Sequence, residues 1–300
     1  MCPSQNAPVP AAICSGTMAN DATQYQAQRA YSWADTVYSS VGCAAPPVDL
    51  FAVARHRRIN RAGFRLMIQP GVLVPVEGGF ELFLRDLESR DLDIEAEELK
   101  SALPPRQRFG LAHEIAHTFF YKGSKGKPAP TWGPKDSREL EKICDGAAGR
   151  ILVPSNLLQR EIKQELQGNQ ERIDSDFVRA MAARFRTSPD VMIERLRIVE
   201  SENAFARCIL LVRKNKGEAQ VKACYMGATL LSTLRVPKIH DPLLNWFPEF
   251  PRDIVERDGN GRWDVTRRGR QLEIEKIPLG RSGDFLLQVD DPNHRAPTSR

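Results

Sequence analysis

The sequence contains no apolar run that approaches the ~20 residues needed to cross a membrane. It also lacks any C-x-x-C pair, because its six cysteines are scattered along the chain. This scatter argues against a small disulfide scaffold and against a cysteine-based zinc site. No Lys or Arg precedes Arg29 and no continuous apolar core follows the first residue, so no secretory signal peptide is expected. Reduced thiols and a cytoplasmic location are the simplest expectation.

A strong charge of one sign is missing as well. The 43 Lys and Arg residues against 38 Asp and Glu give a formal net charge of +5. That balance permits weak attraction to nucleic acid or an acidic partner and requires neither. The densest basic run, residues 55–58 with Arg61, is short and favours a solvated helix end. With 300 residues and 41% hydrophobic content, the chain is expected to be a soluble globular protein of about two domains.

Histidine is rare, with 5 in 300 residues, yet two of them belong to His113-Glu114-Ile115-Ala116-His117. On a helix, residues four apart lie on one face, so His113 and His117 can place two imidazole nitrogens on one metal ion. Glu114 then lies beside the metal without ligating it. This is the position of a general base that takes a proton from water. The motif predicts a catalytic metal site.

The motif lies within a predicted helix over residues 105–122. Pro105 suits the first helical position, where no backbone donor is lost, and Gly123 suits the end. Tyr121 follows His117 by one turn. Its hydroxyl can donate a hydrogen bond to the oxyanion of a peptide undergoing hydrolysis, or the ring can pack as an amphipathic core residue. Both interpretations of Tyr121 remain open at this point.

A catalytic zinc needs a third protein ligand, and a predicted helix from Ser137 to about Pro154 offers one. Glu141 and Asp145 lie four apart on its face, so Glu141 can complete the ligand set while Asp145 accepts the free N–H of a ligand histidine. Glu139 is the competing ligand, but it points about 200 degrees away from Glu141 and has no such partner. Two histidines and one glutamate favour zinc, and they also suit manganese or iron.

Three short β-prone runs, 64–68, 72–77 and 80–85, are separated by Pro-Gly and Gly-Gly pairs. They predict a small antiparallel sheet made of hairpins. If its edge lies beside the metal helix, it can bind an extended peptide by backbone hydrogen bonds. The sheet can equally serve only to support the helix.

The second half of the chain is predicted to contain two helices followed by a series of strands. Two predicted helices, 175–185 and 189–199, resemble a helix-turn-helix, but the second carries Asp190 and Glu194 against Arg195 and Arg197. A packing or substrate-docking role is therefore favoured over direct DNA binding. After residue 205, runs at 206–213, 219–225, 271–277 and 284–289 predict strands.

These residues carry a family resemblance. The segments 108–117 and 141–154 resemble the ImmA/IrrE metallopeptidases, in which a His-Glu-x-x-His helix is followed by a Glu-bearing helix with a small-residue, Leu-Leu-Met-Pro-like end. The spacing from Glu141 to Asp145 is similar to that of the IrrE branch. Val153 stands where Met is usual, and Asp145 stands where Asn is common. The resemblance is specific over about residues 45–155.

The resemblance implies a zinc-dependent endopeptidase that cleaves a helix-turn-helix repressor and thereby switches on stress-response or mobile-element genes. It implies His113, His117 and Glu141 as metal ligands and Glu114 as the base. It further implies a GAF-like sensor domain for the C-terminal part, where the residues alone indicate only a β-rich fold.

The expected fold is α+β, with a zincin-like helical peptidase core, a small antiparallel sheet, a helix-turn-helix-like segment and a β-rich C-terminal domain. The expected boundaries are a disordered N-terminus at 1–20, the peptidase at 21–155, the helical segment at 156–202 and the C-terminal domain at 203–300. The alternative function is a non-proteolytic regulator that binds DNA or a repressor and carries a vestigial metal site. The open three-ligand site and the intact Glu114 favour the peptidase, because structural zinc sites usually have four protein ligands.

Overall fold

The structure is a computed structural model. It describes residues 18–86, 90–92, 103–122, 126–134, 136–168, 173–199, 207–215, 218–226, 237, 242–243, 254, 259–267, 270–279 and 284–290. The predicted disordered N-terminus lies outside these ranges except for residues 18–20, which belong to the first helix. Residues 291–300 and most of the acidic segment 86–101 lie outside them too. In the described part of the chain, no helix is both long enough and apolar enough to cross a bilayer.

Helices and short strands alternate in the first part of the chain. Its elements are α1 (Met18–Ser40), α2 (Leu50–His56), β1 (Ile59–Arg65), β2 (Gly71–Val76), β3 (Gly79–Arg85), β4 (Arg90–Leu92), α3 (Pro105–His117), β5 (Tyr121–Lys122), β6 (Ala129–Pro130) and α4 (Ser137–Leu152). Aspartates cap two of the helices as the preference for short polar side chains predicts. Asp49 accepts from the backbone N–H of Phe51 and Ala52, each at 3.0 Å. Asp136 accepts from the N–H of Arg138 at 2.8 Å.

The first sheet has the strand order β2-β3-β1-β4 and is mixed. The β2–β3 hairpin over Gly78 is present as predicted, with Val72 opposite Phe83. The prediction that the whole sheet is antiparallel is wrong, because β1 pairs with β3 in parallel. The first predicted strand is also displaced, since β1 ends at Arg65 and residues 66–68 lie in the connection to β2. This order leaves β2 at one edge of the sheet.

The helix that carries the histidines packs between α4 and the sheet, where it contacts β2 and β3. Its buried face includes Leu111, Ala112, Ile115 and Ala116. The small residues at 146–149 of α4 face other helices as well, since Gly146 lies against Tyr31 of α1 and Gly149 lies near Arg195 of a later helix. The packing of α3 on α4 therefore fixes the two predicted metal-binding helices relative to each other.

Three more helices follow: α5 (Ser155–Gly168), α6 (Ser175–Phe185) and α7 (Pro189–Val199). The two helices of the predicted helix-turn-helix have the expected bounds. One face of α7 is buried, through Met192, Ile193, Arg195 and Leu196, and this helix contacts α4, α5 and α6 as well as the C-terminal sheet. The buried face gives this helix the packing role that the sequence favoured, while Asp190, Arg197 and Ile198 are exposed on its other face.

The C-terminal part contains a five-stranded antiparallel sheet of order β8-β7-β11-β10-β9. Its strands are β7 (Arg207–Asn215), β8 (Glu218–Met226), β9 (Gly261–Arg267), β10 (Arg270–Pro278) and β11 (Phe285–Asp290). Four of them match predicted runs, and β9 was not predicted. Side chains of one face, among them Ile209, Tyr225 and Leu286, join the core formed by the helices. The fold is thus α+β, as expected.

Candidate active site

The motif helix α3 is shorter than predicted. It ends at His117, residues Thr118–Phe120 form a 3-10 turn, and Tyr121 begins β5 instead of lying on the helix. The Tyr121 ring is half-buried and meets Phe80 edge to face, with 5.4 Å between ring centroids. Tyr121 therefore has the packing contact that one interpretation predicted, and it also lines the cleft described below.

His113, His117 and Glu141 converge at the interface of α3 and α4. Each can offer one ligand atom, and these atoms lie within 4.8 Å of one another. The Nε2 atoms of the two histidines are 3.1 Å apart. The Glu141 carboxylate lies 3.0 Å from Nε2 of His113 through Oε2 and 3.5 Å from Nε2 of His117 through Oε1. The structure thus brings together the three residues that the sequence predicted as ligands.

The chemistry of this cluster fits a metal ion. Ligand atoms that sit about 2.0–2.1 Å from a tetrahedral zinc lie roughly 3.3 Å from each other, which is close to the separations found here. Both Nε2 atoms carry a lone pair whenever Nδ1 holds the proton, so two lone pairs and a carboxylate face one point. A cation at that point would relieve their mutual repulsion.

Each histidine has a partner for its other ring nitrogen. Nδ1 of His113 lies 2.8 Å from Oδ1 of Asp145, so the carboxylate can accept its N–H and leave the lone pair of Nε2 available to a metal ion. Burial lowers the pKa of His113, but the hydrogen bond and charge of Asp145 outweigh it and raise the pKa overall. Nδ1 of His117 lies 3.5 Å from the Sγ atom of Cys144. Burial raises the pKa of the Cys144 thiol well above its usual range, which keeps it neutral.

Glu114 is almost fully buried, with 6% of its surface exposed. Desolvation raises the pKa of this carboxyl to about 7; His113 opposes the shift and Glu141 adds to it. A divalent cation beside it would lower that pKa. The start of β2 closes over the carboxylate, because a Cβ atom built on Gly71 would lie only 2.9 Å from Cγ of Glu114. Gly71 is therefore required for the backbone to approach the predicted base this closely.

A cleft of about 690 Å³ opens over these residues. One wall is the edge strand β2 with the two residues before it, and the opposite wall comes from α3 and α4. Its lining includes all the predicted site residues together with Arg106 and Phe109. An exposed strand edge beside the candidate metal ligands is the arrangement in which an extended peptide can add to the sheet.

The competing ligand Glu139 is not part of the cluster. Its Oε1 atom accepts a hydrogen bond from Nζ of Lys142 at 2.6 Å on the surface of α4. Two contacts of the site, Cys144 with His117 and Gly71 with Glu114, were not predicted. The spacing of Cys144 three residues after Glu141 could have suggested the first contact. No local signal indicates that the turn before β2 meets α3.

This arrangement indicates a class of protein: a buried carboxylate beside two paired histidines and a third acidic side chain is compatible with the site of a metal-dependent peptidase. Residues 100–197 match a family model described as the IrrE N-terminal-like domain of a peptidase family. No curated protein matches the sequence. The family match covers α3 through most of α7, about a third of the chain. It confirms the ImmA/IrrE resemblance over these residues, which are similar to the peptidase domain of that family.

Proposed function

We propose that this chain is a zinc-dependent endopeptidase that cleaves a helix-turn-helix transcriptional repressor and so derepresses stress-response or mobile-element genes. The observation that carries the peptidase part is the convergence of His113, His117 and Glu141 beside the buried Glu114 in an open cleft. The family resemblance supports the repressor as the substrate class. Cleavage of a transcriptional repressor would take place in the cytoplasm, which agrees with the free thiols of Cys43, Cys144, Cys208 and Cys224.

The edge of β2 would bind the substrate as an added strand. Residues 71–73 of this edge strand line the cleft, so a peptide in extended conformation would exchange backbone hydrogen bonds with them. This places the peptide between β2 and α3. The carbonyl of the bond to be cleaved would then face His113 and His117.

When bound by His113, His117 and Glu141, zinc would supply Lewis-acid polarisation of a water molecule and of the peptide carbonyl. Glu114 takes the proton of the attacking water and passes it to the amine that leaves. Burial holds Glu114 in place for both transfers, with Gly71 packed against its carboxylate. Asp145 fixes the tautomer and orientation of His113. Tyr121 lines the cleft, and its hydroxyl would donate a hydrogen bond to the developing oxyanion.

The regulatory part of this proposal concerns the C-terminal sheet. Helix α7 packs against β8 on one side, and on the other its Arg195 reaches Asp35 of α1 and the carbonyl of Val153 at the end of α4. Because α4 carries Glu141, a signal sensed by residues 203–300 would have a packed route to the metal ligands. A GAF-like sensor at this position is consistent with the proposal.

The alternative, a regulator that binds DNA without cleaving protein, is less well supported. Its recognition helix would be α7, and the buried Arg195 of that helix is engaged with Asp35. On the same helix, Arg197 pairs with Glu194. Binding of the full chain to DNA that weakens with salt would support the alternative, if the slope of log affinity against log salt concentration corresponds to several phosphate contacts.

The proposed function is tested by incubating the zinc-loaded full chain with the helix-turn-helix repressor encoded nearest to it. One discrete cut is expected, which stops on chelation and resumes when zinc is restored; manganese and iron are tried in parallel. The Glu114→Gln variant should retain one metal ion per chain, measured by elemental analysis, and lose cleavage by at least about 100-fold. Cleavage by that variant at the wild-type rate would rule out the mechanism.

A further inference from the structure

A second cavity, of about 440 Å³, adjoins the active-site cleft. We call it the basic pocket, and its lining residues are His56, Arg57, Arg58, Phe80, Thr118, Tyr121, Lys122 and Pro128. Tyr121 lines both cavities, so it lies at the boundary between them. A peptide that lies in the cleft and continues past Tyr121 therefore reaches the basic pocket.

The described lining of the basic pocket carries charge of one sign. Arg57, Arg58 and Lys122 are cationic, and none of the lining residues that the structure describes is acidic. His56 and Lys122 are exposed, whereas Arg57 and Arg58 are half-buried. Buried parts of Phe80, Thr118 and Pro128 complete the lining. The pocket thus combines cationic groups with a less polar inner surface.

Arg57 is held rigidly beside the active site. Its Nε atom donates to Oγ1 of Thr118 and its Nη2 atom to the Thr118 carbonyl, both at 2.9 Å, and Thr118 directly follows His117. Both acceptors are neutral. Among the residues that the structure describes, no carboxylate forms an ion pair with Arg57. Burial lowers the pKa of Arg57, and the charge of Arg58 lowers it further.

The backbone fixes Arg58 next to Arg57. Arg58 has a φ of 60°, in the left-handed region that arginine seldom adopts. Its carbonyl accepts the N–H of Phe80 at 2.9 Å, which ties the end of α2 to the start of β3. A conformation of this kind persists where the surrounding structure imposes it, and such positions are frequent at binding sites. Two adjacent arginines are thereby kept at one cavity.

We propose that the basic pocket binds an acidic side chain of the substrate, so that the enzyme selects peptides with Asp or Glu near the bond it cleaves. This inference rests on the proposed function. A carboxylate would supply the negative charge that Arg57 lacks, and guanidinium groups match carboxylates in planar geometry. The methylene groups of Asp or Glu would contact Phe80 and Pro128. An extended peptide from β2 past Tyr121 delivers the side chain to this point.

Binding of defined peptides tests the inference. The probes are three sets of fluorescein-labelled decapeptides, randomised except that every third residue is Glu, Gln or Lys. They are titrated into the zinc-loaded full chain carrying Glu114→Gln, which prevents turnover, and anisotropy is recorded. The Glu set is expected to bind about two- to fivefold more tightly than the Gln set, with the Lys set weakest, as for partly exposed charge pairs.

Lys122→Glu in the same background should abolish or reverse the preference for Glu. The matched control is Lys163→Glu, which makes the same charge change at an exposed lysine of α5 that lines neither cavity. It should leave the preference unchanged. Equal binding of the three peptide sets would overturn the inference, and so would equal effects of the two substitutions.

Incubating the wild-type chain with the same peptides tests this inference separately from the proposed function. Cleavage products read by mass spectrometry should show Asp and Glu enriched at one position relative to the cut. Selective binding without any cleavage would leave the basic pocket as a peptide-binding site and refute the peptidase. Cleavage without selectivity would leave the peptidase and refute the acidic specificity.

Discussion

Nδ1 of His113 lies 2.8 Å from Oδ1 of Asp145, one turn beyond Glu141 on the facing helix. The same four-residue step thus occurs on both helices of the site: His113 with His117 on α3, and Glu141 with Asp145 on α4. Because α3 and α4 pack closely, one turn of each supplies the three candidate ligands and the carboxylate that orients one of them. The side chain of Asp145 is 59% exposed, so the strength of this contact depends on its geometry more than on a dry environment.

Asp145→Ala is expected to weaken metal binding by about 10- to 100-fold, because His113 loses the group that fixes its tautomer. Asp145→Asn should weaken binding less, since the amide oxygen can still accept the Nδ1–H. Competition against a chromophoric chelator measures both dissociation constants. Wild-type affinity in the Ala variant would mean that Asp145 is an ordinary surface carboxylate.

Glu141→Gln should reduce metal affinity more strongly than Asp145→Asn, because it removes a charged ligand and not a partner of a ligand. Glu139→Gln is the matched control on the same helix, and it breaks only the surface pair with Lys142. It should leave the bound metal, counted by elemental analysis after dialysis, at the wild-type level. If the Glu139 variant lost its metal and the Glu141 variant retained it, Glu139 and not Glu141 would be the third metal ligand.

Gly71→Ala should slow cleavage by roughly 10- to 100-fold while metal affinity stays near the wild-type value. The added methyl group would overlap the Glu114 carboxylate and displace the proposed base. Gly110→Ala is the control on the opposite wall, where the new Cβ meets only Leu84, at 3.4 Å. The prediction fails if both variants have the same rate constant. Circular dichroism confirms that each variant is folded.

Local sequence signals predicted the elements of the site well. Helical spacing placed His113 with His117 and Glu141 with Asp145 on single helix faces, and the need for a third metal ligand joined the two pairs. Helix α6 starts after its N-cap Asp174, whose Oδ1 atom accepts the backbone N–H of Phe177 at 2.8 Å. Helix α7 starts at Pro189, which suits the first helical position. Such contacts act within four residues and can be recognised in the sequence.

Contacts between distant segments could not be predicted in this way. Turn residues at 70–71 and 78–79 indicate where strands end, but they do not specify which strand lies next to which. In the structure β3 is inserted between β1 and β2, so two strands joined by five residues are not neighbours. The contact of Gly71 with Glu114 depends on that order. Arg195 was counted only among the charges of its helix, and no local signal indicates that tertiary packing buries it almost completely.

A polar network around Asp35 gives the last prediction. Its Oδ1 atom accepts from the N–H of Ser155 at 3.0 Å and from Nη2 of Arg195 at 3.2 Å, and its Oδ2 atom accepts from Arg150. The carboxylate therefore joins α1 to α4, to the start of α5 and to α7. Arg195 is 2% exposed, and burial lowers its pKa to about 10 although Asp35 opposes the shift.

Asp35→Asn should lower the free energy of unfolding by about 2–4 kcal/mol, because it leaves the Arg195 charge buried without its counter-ion. Urea denaturation followed by circular dichroism measures the change. Combining Asp35→Asn with Arg195→Met should recover part of the loss, since the second substitution removes the unpaired charge. Strictly additive losses would show that the two residues are not coupled. In that case the proposed route from the C-terminal sheet to α4 would have to run through the apolar contacts of α7 alone.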